Sequence, residues 1–138
     1  MDAELDINYV LKNLSPQLNE GVFVFCSVDN VKNIKEENIM ASIVETEGIT
    51  IVLKKEIADI LKLPYSVTMN WITLNVNSSL ELVGLSAIIS KKFADNHISC
   101  NLMAGYYHDH IFVPVKDSNM VIKLLYELSQ RRERMSKS

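Results

Sequence analysis

Twice along this chain a β-branched run ends in a lysine turn and feeds an amphipathic helix. Ile49-Thr50-Ile51-Val52-Leu53-Lys54-Lys55 matches Ile111-Phe112-Val113-Pro114-Val115-Lys116-Asp117 in this respect. Around the first copy the order reads helix, strand, strand, helix. Around the second it reads strand, helix, strand, strand, helix. A repeated β-α-β-β-α order restricts the chain to α+β architectures and points to two ferredoxin-like (βαββαβ) units, with helices covering one face of antiparallel sheet. Neither unit is complete: the first lacks an opening strand and the second a closing one. Strands are therefore expected to pass between halves or between chains. The boundary falls near Leu63-Pro64-Tyr65, dividing the chain into 1–63 and 64–138.

Local patterns place the elements. Ile7, Val10, Leu11 and Leu14 fall on one helical face, which Pro16 and Gly21 end. Val22 to Val28 is β-branched and aromatic throughout and reads as a strand covered on both faces. Ile39, Met40, Ile43 and Val44 suggest a short helix ended by Gly48, so that 29–48 carries an inserted helix where 105–110 is a short turn. Lys55 to Leu63 is a helix stopped by Pro64. Val67 to Val76 is a long strand. Ser78 and Glu81 have capping-box spacing, before a helix that turns Leu85, Ile88, Ile89 and Phe93 inward. Ile98 to Ala104 alternates as a half-buried strand, and Ile111 to Val115 is another. The last helix starts near Asp117 or Ser118 and buries Met120, Val121, Leu124, Leu125 and Leu128.

Composition narrows the class. With 48% hydrophobic residues and a formal charge of −3 over 138 residues, the chain is a globular protein and not a disordered one. The basic residues gather only at Arg131, Arg132, Arg134 and Lys137, which reads as a solvated helix end; no basic stripe supports nucleic-acid binding. The acidic start, Met1 to Asp6, has no apolar core of a signal peptide, and no apolar run approaches the ~20 residues of a membrane helix. A cytoplasmic protein is expected. Cys26 and Cys100 lie in separate strand-like runs and read as buried thiols.

Residues 82–115, LVGLSAIISKKFADNHISCNLMAGYYHDHIFVPV, resemble a group of short proteins built from two ACT domains in tandem. Pro16-Gln17-Leu18, Gly21 to Cys26 and Glu45 to Thr50 resemble that group's opening segment, so the likeness runs over nearly the whole chain. It implies two ACT-like modules, paired side by side, which hold a small molecule, an amino acid above all, at the interface. The ACT turn entering the first helix has a Pro-Gly and an acidic residue before it. Here Leu82-Val83-Gly84-Leu85 keeps the Gly, has Val83 for the Pro and lacks the acid. The resemblance implies that the Val83–Gly84–Leu85 backbone and the Ser86 hydroxyl take the ligand's carboxylate at the helix start, with Asn101 and Met103 meeting the rest.

His97, His108 and His110 invite a metal, but no Cys or Glu nearby completes a set. Their imidazoles bond backbone carbonyls in a polar turn, or His108 contacts the ligand. No nucleophile elbow, phosphate loop, zinc spacing or dinucleotide fingerprint occurs. The chain is therefore read as non-enzymatic, without cofactor or metal. It is expected to be a homodimer that senses a small molecule, contacts a regulated protein partner, and binds neither nucleic acid nor membrane. The alternatives are an oligomerising module without ligand, and a small metal protein or enzyme built on His108 and His110.

Overall fold

A computed structural model of the chain describes residues 9, 11–75 and 84–137, with side chains through 129. Seven strands form one sheet: β1 (Pro16–Leu18), β2 (Phe23–Val28), β3 (Ala41–Val44), β4 (Ile49–Lys54), β5 (Met69–Leu74), β6 (Asn101–Ala104) and β7 (Asp109–Pro114). Among the described residues the helices with both ends placed are α1 (Lys55–Ile60), α2 (Leu85–Asp95) and α3 (Ser118–Lys137), with single 3-10 turns at Glu36–Asn38 and Val115–Asp117, and Tyr9, Leu11 and Lys12 are helical ahead of β1. The strand order is β3-β4-β2-β5-β7-β6, and β1 pairs with β5.

This order explains both incomplete units. In the second half β1, β5, β7 and β6 lie side by side, all antiparallel. That is the ferredoxin-like arrangement, with its closing strand supplied by the N-terminal segment. In the first half β5 takes the closing position beside β2, but through one registered pair, Phe23↔Met69. β5 thus belongs to both units. By contrast β2 pairs with β4, and β5 with β7, over six residues each.

Alternation along the strands makes two faces. Val24, Cys26, Ile51 and Leu53 point to α1, and Ala58 closes that core. Ile72, Leu74, Ile111 and Val113 point to α2 and α3, where Ile89, Phe93, Val121, Leu124 and Leu125 meet them with Leu11 and Leu14 of the N-terminal segment. The opposite face carries Phe23, Val52 and Phe112, flanked by Phe25, Met40, Met69, Trp71 and Met103. No helical residue belongs to this third cluster, yet Val52 and Phe112 are fully buried. They are buried because the sheet bends at the single β2–β5 pair and the two helix-free faces cover one another. Phe25 and Phe112, from different halves, meet edge to face at 5.5 Å, the geometry favoured by ring quadrupoles.

Several expected boundaries shift. The segment at Ile39 to Val44 is not a helix: Ala41–Val44 pairs with β4 as an edge strand, preceded by the 3-10 turn. Ile43 and Val44 are the exposed apolar residues of that strand; their apolar spacing mimics a helical face too short to form one alone. The two hairpins are consequently equal in build. β3 and β6 have four residues each, β4 and β7 six, and the turns close alike, Glu45 N–H to Gly48 O at 3.0 Å and Gly105 N–H to His108 O at 2.9 Å. The halves differ instead upstream, where residues 29–40 are largely irregular and the second half has α2. The second-half strands run Met69–Leu74, Asn101–Ala104 and Asp109–Pro114, and α1 ends at Ile60. Met120 is exposed, not buried. Val76 and the Ser78–Glu81 pair lie outside the described residues.

Helices α1 and α2 end the same way. Lys62 (φ 57) and His97 (φ 58) are left-handed. Lys62 and Leu63 donate to Asp59 O and Ala58 O, and His97 and Ile98 donate to Ala94 O and Phe93 O. These are paired Schellman closures with a non-glycine residue at the left-handed position. Leu63 and Ile98 then tuck against the cores. A side chain in this conformation costs about 1–2 kcal/mol relative to the right-handed region, which glycine avoids. Lys62→Gly and His97→Gly are each expected to stabilise the protein by ~1 kcal/mol, raising Tm by roughly 3–5 °C, measured by thermal denaturation; a fall in Tm for both would contradict this account of the helix ends.

Candidate functional site

The helix-free face of the second half presents side chains in rows set by strand register. One row holds Gln17, Thr73, His110 and Met103; the next holds Trp71, Phe112 and Asn101. Where they cross lies a hydrogen-bonded network. The Asn19 side-chain amide donates to Thr73 Oγ1 at 2.8 Å, and its backbone N–H donates to Trp71 O at 2.9 Å. The Trp71 indole N–H donates to His110 Nδ1 at 3.0 Å, and Thr73 Oγ1 stands 3.2 Å from the same nitrogen. An indole nitrogen can only donate. His110 Nδ1 must therefore be the acceptor, and the ring is neutral with its proton on Nε2.

Burial pushes the His110 imidazole below the ordinary histidine range, and neighbouring His108 pushes the same way, while Asp109 opposes them. Gly105 makes room for this ring. A Cβ there would stand 2.7 Å from His108 O and 3.3 Å from His110 Nε2.

The expected site residues fall into two groups. Gly84 has φ 97 at the start of α2, with no side-chain cap. Among the described residues the first bond in the helix runs from Ile88 N–H to Gly84 O, which makes Leu85, Ser86 and Ala87 first-turn residues whose N–H groups have no partner within the helix. The Leu85 side chain is buried in the helix-side core and Ser86 is exposed. Val83 lies outside the described residues. Asn101 and Met103 are on the other face, half-buried, with the Asn101 amide 3.7 Å from Met69 Sδ. His108 sits in the β6–β7 turn, where its Nδ1 is buried with no hydrogen-bond partner among the described residues. The network that joins Trp71, Thr73, Asn19 and His110 was not anticipated. Alternation alone places Trp71 and Thr73 opposite Ile72 and Leu74, but only the β5–β7 register brings His110 to them.

The histidines are separated in role. His97 closes α2, His110 accepts from Trp71, and among the described residues no three His, Cys, Asp or Glu side chains gather as a metal set. Burial drives the Cys100 thiol up to about 11 and raises Cys26 as well, so both are thiols and not nucleophilic thiolates at neutral pH. No described helix is long and apolar enough to cross a membrane. A cleft of about 430 Å³ opens where β2 ends, lined by Ser27, Asp29, Asn30, Asn33, Ile34 and Leu63 among others.

Two ACT-domain models match, over residues 2–70 and 66–127. The chain belongs to the ACT-domain family, as two such domains in tandem. Among solved structures it is similar to a Vibrio cholerae protein of unknown function, described as a possible transport protein, at 36% identity, TM-score 0.81, covering 93% of this chain and 99% of that one. An Agrobacterium tumefaciens protein shares the fold at 11% identity and TM-score 0.69, covering 84% and 89%. Clostridium acetobutylicum aspartate kinase, an allosteric enzyme, shares it at 10% identity and TM-score 0.56, covering 86% of this chain and 34% of its own. A search of curated proteins found no match.

The neutral His110 makes stability depend on pH. Its folded value lies below the unfolded value of about 6.5, so the unfolded chain takes up the proton first as pH falls. Stability from this group is complete above about 6.5 and declines below it. Urea midpoints are expected to fall between about pH 7.5 and about pH 5.5. The slope should be shallower in Trp71→Phe, which removes the donor that protonated His110 would face; equal slopes would refute the tautomer assignment.

Proposed function

We propose that this protein is a non-enzymatic regulatory module that binds a small molecule, an amino acid by chemistry, and alters its association with a protein partner. The reading keeps two modules divided near Leu63–Pro64. It is carried by one observation: in a chain matched as ACT domain through both halves, α2 begins at a left-handed glycine whose following N–H groups have no helical partner. Such an opening suits a carboxylate, because aligned peptide dipoles and unpaired N–H groups favour an anion there. Gly84, Leu85 and Ser86 would hold that carboxylate. His108 lies at the same end of the sheet, since Leu74, which leads toward α2, pairs with Asp109. Asn101 and Met103 would meet a ligand or a second module from the helix-free face.

A thermal-shift screen against the twenty amino acids tests this reading. Binding to the native state adds about 2.7 kcal/mol at a hundredfold excess over Kd. One amino acid is expected to raise Tm by several degrees, and a folded Gly84→Asp variant should lose that rise. Ser86→Ala should weaken it. No shift with any of the twenty would refute amino-acid sensing and leave an oligomerising module.

Among the described strands β1, β3 and β6 each pair on one side only, and β3 exposes Ile43 (51%) and Val44 (84%). Bare apolar edges invite pairing with another chain. Sedimentation at micromolar concentration is expected to give a dimer, which Val44→Lys should shift toward monomer; a wild-type monomer would contradict the homodimer.

A further inference from the structure

One polar network on the helix-free face joins β7, β5 and the corner between β1 and β2. At its centre is His110 Nδ1, which faces the Trp71 indole N–H at 3.0 Å and Thr73 Oγ1 at 3.2 Å. The Asn19 amide donates to the same Thr73 oxygen at 2.8 Å, so the hydroxyl hydrogen is free to turn toward His110. The imidazole nitrogen thus accepts from two donors at once, and one of them, the indole, has no other way to bond.

Trp71 carries the consequence of that bond to the other half of the molecule. Its half-buried ring lies nearly parallel to Phe112 of β7, with centroids 6.4 Å apart. Phe23 of β2 meets it edge-on at 5.5 Å. β2 and β5 share one registered pair, Phe23↔Met69, so this ring contact reinforces the junction where the backbone ladder is thinnest. A cleft of about 380 Å³, lined by Phe23, Met40, Ile57 and Trp71 among others, gives the indole room to turn. Turned into it, the indole N–H meets water in place of imidazole.

A proton on Nδ1 reverses the arrangement. The charged ring has an N–H on each nitrogen and no acceptor. Thr73 Oγ1 takes the new N–H by turning its own hydrogen away, but the indole N–H is then aimed at another donor. A donor shut away from any acceptor is costly, and a cation beside the positive edge of the indole adds repulsion. The groups that face His110 from other elements carry no charge: Trp71 and Thr73 of β5, Met103 of β6 and Asn19 at the corner. Among the described residues its ionisable neighbours are His108 in the turn, which opposes a proton on His110, and Asp109 on its own strand, which favours one.

We propose that His110 is a proton-operated latch. Protonation of Nδ1 by solvent removes the acceptor of the Trp71 indole, frees the ring toward the cleft and loosens the contact between the two halves while each keeps its fold. The ring is held neutral in the folded protein, so the latch opens in mild acid, below about pH 6.5. The device is independent of the small-molecule reading above.

Trp71 is the single tryptophan of the chain, which makes the latch observable. The full-length protein, with no ligand added, is taken from about pH 8 to about pH 4.5, a range that spans the ordinary histidine titration. Proton–nitrogen correlation spectra, acrylamide quenching of Trp71 and far-UV circular dichroism are followed together. The indole resonance is expected to move along a one-proton curve. The quenching constant should rise about twofold or more over the same range with unchanged circular dichroism, as local opening without global unfolding requires. His110→Asn keeps an acceptor at the δ position and cannot charge, so both signals should stay constant; His110→Gln serves if that variant does not fold. His108→Gln should retain the transition and move its midpoint upward, because a repelling charge is lost. Quenching that stays constant in the wild type, signals that titrate equally in His110→Asn, or a rise that coincides with loss of circular dichroism would overturn the latch.

Discussion

The structure depends on how β5 is shared. One strand closes the first sheet and opens the second, and the two claims meet it on the same side: β1 along Ile72 to Leu74, β2 at Met69 alone. A full-length pairing of β2 with β5 would extend one sheet across both units. It would also leave Phe25, Val52 and Phe112 facing water. The single pair lets the sheet turn, and the aromatic side chains of the two helix-free faces become each other's cover. Burying such rings yields about 1.5–3 kcal/mol each, so the bend places the helix-free core of the protein under that driving force.

The corner between β1 and β2 makes this geometry possible. Asn19 ties the chain to β5 through Trp71 O and Thr73 Oγ1. Gly21, at φ 102, then redirects it into β2. The same glycine leaves the surface on which the Lys54 stem lies. Backbone freedom at one residue therefore shapes the turn between sheets.

Much of the fold is legible in the residues. The β-branched and aromatic runs at Val22 to Val28, Ile49 to Leu53 and Ile111 to Val113 are legible as strands because they carry apolar residues for both faces, although Ser27 is exposed. The incompleteness of each unit is also legible. The identity of the missing strand is not, since Pro16–Leu18 is three residues long and its pairing is far away in sequence. Ala41–Val44 misleads because an exposed edge strand with Ile43 and Val44 has no alternation to show. Matching Ile49 with Ile111 by residue likeness places the repeat two positions out of step with the hairpins, whose equal turns align Ile49 with Asp109. In the site, Gly84 at a helix start is visible from its neighbours. The partnership of Trp71 with His110 needs the β5–β7 register, which no local pattern encodes.

The loan of β1 bears on how such a chain is inherited. A module that carries all its own strands can be copied, moved or fused as a cassette. Here the second module is finished by residues that precede the first, and Leu11 and Leu14 sit in its core. A recombination event between the modules would separate that core from part of its apolar filling. The two units are interlaced in sequence, so selection acts on them as one heritable piece, and a change in either must remain compatible with a strand encoded at the far end of the other.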